Sequence, residues 1–139
     1  MRPVQAASNP VFTNWLANRV SAGFGSPAED VGAKRVDLNR ILAIEDEDTY
    51  FMRVEGQSME NYGIYDKDIL CIKKGRDVHS GNIVVVSLDN EFLVKCYDTT
   101  KGRLVLKAGN PKYPDIEPKE LETVRFWGVV SATIKLFPR

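Results

Sequence analysis

From residue 49 onward, apolar residues come in short runs bounded by Gly, Asp or Asn. The segments TYFMRVEG, DILCIKKG, GNIVVVSLDN, EFLVKCYD, GRLVLKAGN and TVRFWGVVSATIKLF follow one another at close intervals. Each is rich in Val, Ile or Leu, side chains that suit a pleated, half-buried surface, so each reads as a strand. LDNE, between NIVVVS and FLVKCYD, is a hairpin signal. Regularly spaced strands without intervening helices predict a mainly β fold with curved or barrel-like sheets.

The first third is patterned differently. Val11, Phe12, Trp15, Leu16 and Val20 recur at rough helical spacing, then give way to small residues, Gly and Pro. SAGFGSPAED reads as an exposed, extended connector of the kind proteases reach. DLNRILAI reads as a short helix capped by Asp37, with Leu38, Ile41 and Leu42 on one side. The chain therefore divides into an N-terminal arm, residues 1–32, and a domain, residues 33–139.

Composition narrows the function more than the fold. Lys+Arg and Asp+Glu both number 19, so no net charge argues for nucleic acid or membrane. No apolar run approaches the roughly 20 residues of a membrane span, and the N-terminus lacks a secretory apolar core. Cys71 and Cys96 with a single histidine are too few for a zinc site, and read as buried free thiols. No metal and no cofactor is expected.

One stretch, VEGQSMENYGIYDKDIL, carries a serine that invites a chemical question. Ser58 follows Gly56-Gln57 and is either an ordinary turn serine or a nucleophile in need of a base. His79, in the polar turn GRDVHSGN, has only Asp77 nearby as an orienting acid and reads as an inert turn residue. Lys95 is the better base. Strand alternation puts Leu93, Lys95 and Tyr97 on one face and Phe92, Val94 and Cys96 on the other. Both faces carry apolar neighbours, and a lysine in such surroundings loses the charged form and becomes able to accept a serine proton. The competing reading is a strand lysine that reaches solvent. Lys73, Lys74 and Arg76 read as a solvated charged turn, and Asp66 and Asp68 as turn residues shaping the loop after Ser58.

Taken together, EGQSMENYGIYDKDIL and SGNIVVVSLDNEFLVKCY resemble the self-cleaving serine peptidases of the LexA/UmuD family. The matching motifs are Gly56-Gln57-Ser58-Met59, Gly63 to Asp68, Gly81 to Val85 and Phe92 to Lys95, and LKAGNPKYPDI and FWGVVSATIK are similar to the family's closing strands. The resemblance implies a compact curved-sheet protease domain with a short flexible arm. It implies Ser58 as nucleophile, Lys95 as base, and the N–H groups of Gln57 and Ser58 as an oxyanion hole. It places the scissile bond at Ala22-Gly23, where small side chains suit an extended strand threading a narrow cleft.

Only 22 residues precede that bond, too few for a helix-turn-helix unit, so the arm resembles the UmuD branch and no direct sequence-specific DNA binding is expected. That branch implies RecA–ssDNA filament as the trigger. It also implies a Y-family polymerase subunit of the UmuC type as partner, a homodimer, and a bacterial cytoplasmic location without membrane contact. Ala22 stands where the branch's usual residue is Cys, and Gln57 and Lys67 replace the commoner Asp and Gly. Two other readings are a repressor fragment or interaction module with a vestigial dyad, and a signal-peptidase-like protease acting in trans.

Overall fold

The computed structural model describes residues 4–5, 12–16, 33–44, 46–119 and 124–138. Among the described residues, three strands come first, β1 (Val4–Gln5), β2 (Phe12–Leu16) and β3 (Ala33–Asp37), followed by a helix, α1 (Leu38–Ile41). Then come β4 (Thr49–Arg53), a 3₁₀ turn at Glu60–Tyr62, β5 (Ile69–Lys74), β6 (Ile83–Leu88), β7 (Glu91–Asp98), β8 (Val105–Lys107) and β9 (Val124–Ile134). Seven strands form one antiparallel sheet in the order β1-β4-β5-β9-β6-β7-β8, and β2 pairs with β3 in a second, two-stranded sheet.

The expected strands from residue 49 onward are all present. The LDNE hairpin closes with Leu88 opposite Glu91, and both turn residues, Asp89 and Asn90, lie in the left-handed region. That is the two-residue turn whose twist matches its flanking strands, and Asp and Asn are among the residues that tolerate it. The long strand β9 pairs with β5 over its C-terminal half and with β6 over its N-terminal half. It does so by bulging at Trp127 and Ser131, where the register slips by one residue against each partner. Bulges increase the local twist, and here they bend one strand around a curved sheet.

The sheet buries apolar side chains on both faces. Met52, Val54, Met59, Ile64, Leu70, Ile72, Val85, Val94 and Cys96 form the larger cluster, and Val84, Val86 and Leu106 form the smaller. Phe92 packs with the first, whereas Leu93 and Tyr97 pack with the second, which is the alternation expected for β7. Each fully buried aliphatic residue, Leu70 or Ile72 for example, contributes about 1.5–3 kcal/mol of transfer free energy. Cys71 and Cys96 are buried free thiols. No helix among the described residues is long and apolar enough to cross a membrane.

The arm and the charged turn depart from expectation. Phe12–Leu16, part of the patch with helical spacing, is a strand paired with β3. A helix confined to so short a stretch is unstable in isolation, and Phe, Thr and Trp favour the pleated alternative. Residues 17–32, including the whole SAGFGSPAED connector, lie outside the described residues. Asp37 caps α1 as expected, accepting the Asn39 N–H at 2.9 Å, but Leu38 and Ile41 on the helix are about half exposed. Lys73 is not part of a solvated turn. It is buried, and its Nζ donates to the Ala43 carbonyl at 2.6 Å and to Thr49 Oγ1, with Asp46 at 3.7 Å. Lys74 lies over the Tyr50 and Trp127 rings, and Arg76 pairs with Asp46 and Asp48.

Candidate active site

Ser58 stands on an excursion between β4 and β5. The ladder of these two strands continues one step beyond them, with Val54 N–H donating to Asp68 O and Lys67 N–H to Val54 O, both at 2.8 Å. Residues 55–66 loop out from this base. The loop is anchored from inside by Met59 and Ile64, both buried in the main core. A 3₁₀ turn follows the serine, with Tyr62 N–H donating to Met59 O and Gly63 N–H to Glu60 O.

The two aspartates read as turn residues do shape this loop. Asp66 accepts the Gly56 N–H at 2.9 Å, tying the start of the Gly-Gln-Ser run to its far side. Gly56 has φ +95°, a conformation that strongly favours glycine. Asp68 is almost fully buried, accepts the Tyr65 N–H at 2.9 Å and holds Lys135 Nζ at 2.6 and 2.8 Å. Burial pushes its carboxyl up, but the hydrogen bonds from Lys135, Tyr65 and Thr133 outweigh that and hold it below the usual carboxylate range.

Lys95 approaches from β7, where it pairs with Val84 of β6. Ser58 and Lys95 line the same small cleft, of about 70 Å³, together with Val54, Gly56, Met59 and Leu93. Only 6% of Lys95 is exposed, and among the described residues it forms no ion pair. Burial lowers its pKa below the ordinary lysine value, partly countered by the charge of Asp115. A lysine whose charged form burial disfavours, lining one cleft with a half-buried hydroxyl, has the chemical capacity of a general base and its nucleophile. His79 is exposed in the turn before β6, where its N–H donates to Asn82 Oδ1, and it does not line this cleft. The proposed cleavage-site residues, Ala22 and Gly23, lie outside the described residues.

A second loop, which local sequence pattern does not place at the serine, closes over it. Gly109 N–H donates to Ser58 O at 2.5 Å, Asn61 N–H donates to Gly109 O at 2.6 Å, and Asn110 Nδ2 donates to Gln57 O at 2.9 Å. The N–H groups of Gln57 and Ser58 have no acceptor among the described residues. The Gly-Asn-Pro run at 109–111 was the available signal, but its contact with residue 57 is set by the tertiary fold.

The Peptidase S24-like family model matches residues 11–131 of this chain. The chain is 37% identical over 132 residues to protein SamA of Salmonella typhimurium, covering 95% of this chain and 88% of that protein. It is 36% identical over 118 residues to protein MucA of Escherichia coli, covering 84% and 80% respectively. Against the LexA repressor of Xylella fastidiosa it is 38% identical over 102 residues, covering 73% of this chain and 48% of the repressor.

Proposed function

The chain belongs to the Peptidase S24-like family, and from that premise we propose that it cleaves its own Ala22–Gly23 bond with Ser58 and Lys95. The observation that carries this reading is the cleft lined by both Ser58 and a buried lysine whose charge burial disfavours. Lys95 Nζ takes the Ser58 hydroxyl proton as Oγ attacks the Ala22 carbonyl carbon. The amides of Gln57 and Ser58 hold the oxyanion. The tetrahedral intermediate then collapses, the bond to Gly23 breaks and the lysine returns its proton to the departing amine. Water, deprotonated by the same lysine, hydrolyses the Ser58–Ala22 ester.

Residues 17–32 connect β2 to β3, so the cut separates β1 and β2 covalently from the rest of the chain. What remains is residues 23–139. Similarity to SamA and MucA over most of the chain favours the UmuD branch over a full-length repressor, and that branch implies a role in SOS mutagenesis. In that role a RecA–ssDNA filament favours the conformer with the bond docked, and the partner needs only differential affinity for it. The processed chain then serves as a homodimeric subunit beside a Y-family polymerase.

The test is an intact-mass time course of the purified chain at about pH 7 and about pH 10, beside Ser58→Ala and Lys95→Ala. A product of residues 23–139, faster at the higher pH and absent from both variants, is the expected result. If the chain stays whole at both pH values and also with RecA filament added, the dyad is vestigial and the protein is an interaction module.

A further inference from the structure

We propose that Asn110 is a positioning residue for the oxyanion hole, an inference that rests on the self-cleavage reading. A trans peptide is planar, and its C=O and N–H point in opposite directions. The Gln57 carbonyl and the Ser58 N–H belong to one such plane, so whatever holds the first aims the second. Asn110 Nδ2 donates to that carbonyl at 2.9 Å. Its amide cannot be turned the other way, because Oδ1 already accepts the Lys112 N–H at 3.0 Å. The hydrogen bond therefore directs the Ser58 N–H away from Asn110, and polarises the peptide so that this N–H becomes a stronger donor.

The next peptide is pinned as well. Gly109 N–H donates to the Ser58 carbonyl. A side chain at 109 would bring its Cβ to 2.5 Å from Tyr62 Cδ2 and 3.1 Å from Met59 Cα, so only glycine allows this approach. Pro111 restricts Asn110 to extended conformations, which reduces the entropy lost in holding the clamp. The nucleophile's loop is thus held from outside its own segment. An unheld peptide would be free to flip and turn its N–H out of the hole.

The experiment measures self-cleavage rates from about pH 7 to about pH 11 for the parent, Asn110→Ala and Asn110→Asp, with a melting temperature for each. Asn110→Asp keeps the acceptor for the Lys112 N–H and removes the donor to Gln57. The expected result is a high-pH plateau about 10²-fold lower in both variants, the loss typical of one oxyanion donor. In Asn110→Ala the pH midpoint stays at the parent value, because Lys95 keeps its surroundings. The inference is overturned by a plateau within about threefold of the parent, by a loss explained wholly by a shifted midpoint, or by one that vanishes at matched distance below each melting temperature. If Asn110→Ala does not fold, Asn110→Asp decides by the same plateau. A parent that never cleaves sinks the self-cleavage reading and this one together, whereas a cleaving parent with an unimpaired Asn110→Ala sinks the clamp alone.

Discussion

Two lysines on inner strands of one sheet, Lys73 on β5 and Lys95 on β7, are buried to almost the same degree, at 5% and 6% exposure. They differ in what meets the ammonium group. Lys73 is surrounded by acceptors, the Ala43 carbonyl, the Thr49 hydroxyl and the Asp46 carboxylate, so its charge is compensated. It fastens the loop after α1 onto β4 and β5. Among the described residues, Lys95 has no such cage. It borders a cleft shared with Ser58, and the charge of Asp115 only partly counters its burial. Burial alone does not make a lysine a base; burial without compensation does.

The sharpest way to break this comparison is to replace each lysine with methionine and measure self-cleavage at about pH 10. Lys95→Met should lower the rate by about 10³-fold or more, as expected for loss of the base of a dyad. Lys73→Met should leave the rate within severalfold once folded. In the parent the rate should rise about tenfold per pH unit and level off at a pH below the ordinary lysine value of 10.5. Tyr62, in the 3₁₀ turn after the serine, does not blur that profile. Desolvation and then the Cys96 thiol push its phenol up to about 12, so it stays neutral while Lys95 titrates.

Stability should separate the two lysines in opposite directions. Lys73→Met removes a charge-assisted donor from Ala43 and Thr49 and should cost about 1–3 kcal/mol in urea unfolding. Lys95→Met relieves a desolvated cation and should raise the melting temperature at neutral pH by about 2–5 °C. The sign follows from linkage. The folded pKa of Lys95 lies below the unfolded one, so in the window between them the unfolded chain binds more protons and parent stability rises with pH. The methionine advantage should therefore shrink as pH climbs through that window and disappear above about 10.5.

Smaller effects test the scaffold around the serine. Asp68→Asn weakens the bonds to Tyr65, Thr133 and Lys135 and should cost about 1–3 kcal/mol at neutral pH. Because the folded pKa of Asp68 is depressed, its contribution is complete above the unfolded value near 4 and is lost as pH falls through the lower, folded one. The penalty of Asp68→Asn should thus fade in strong acid. The smallest change concerns Lys67, which sits at φ +72° at the tip of the loop base. Lys67→Gly should stabilise the fold by about 0.5–1 kcal/mol, the left-handed strain relieved less the extra entropy of an unfolded glycine. A melting temperature unchanged or lowered in Lys67→Gly would show that its backbone carries no strain.

Local pattern was enough for the strand set. The period-2 alternation of EFLVKCYD, the apolar run of NIVVVS and the Asp89-Asn90 turn each determine their own structure through contacts between near neighbours. The pattern failed for Phe12–Leu16, whose spacing is compatible with a helix but whose backbone is satisfied by β3, a segment remote in sequence. It failed again for Lys73, because a charged turn and a buried capping cation look identical until Ala43 and Thr49 are brought against it.

The chemistry divides in the same way. The proposed pairing of Ser58 with Lys95 starts from motifs that carry the family resemblance, and the alternation on β7 already puts Lys95 among apolar neighbours. Only the tertiary structure brings residue 95 to the cleft of residue 58, leaves that lysine without a caging acceptor among the described residues, and lays Asn110 on the carbonyl of Gln57. The physical reason is range. Turn geometry and alternation act within a few residues, whereas desolvation and the aim of a peptide plane depend on whichever distant atoms the fold packs beside them.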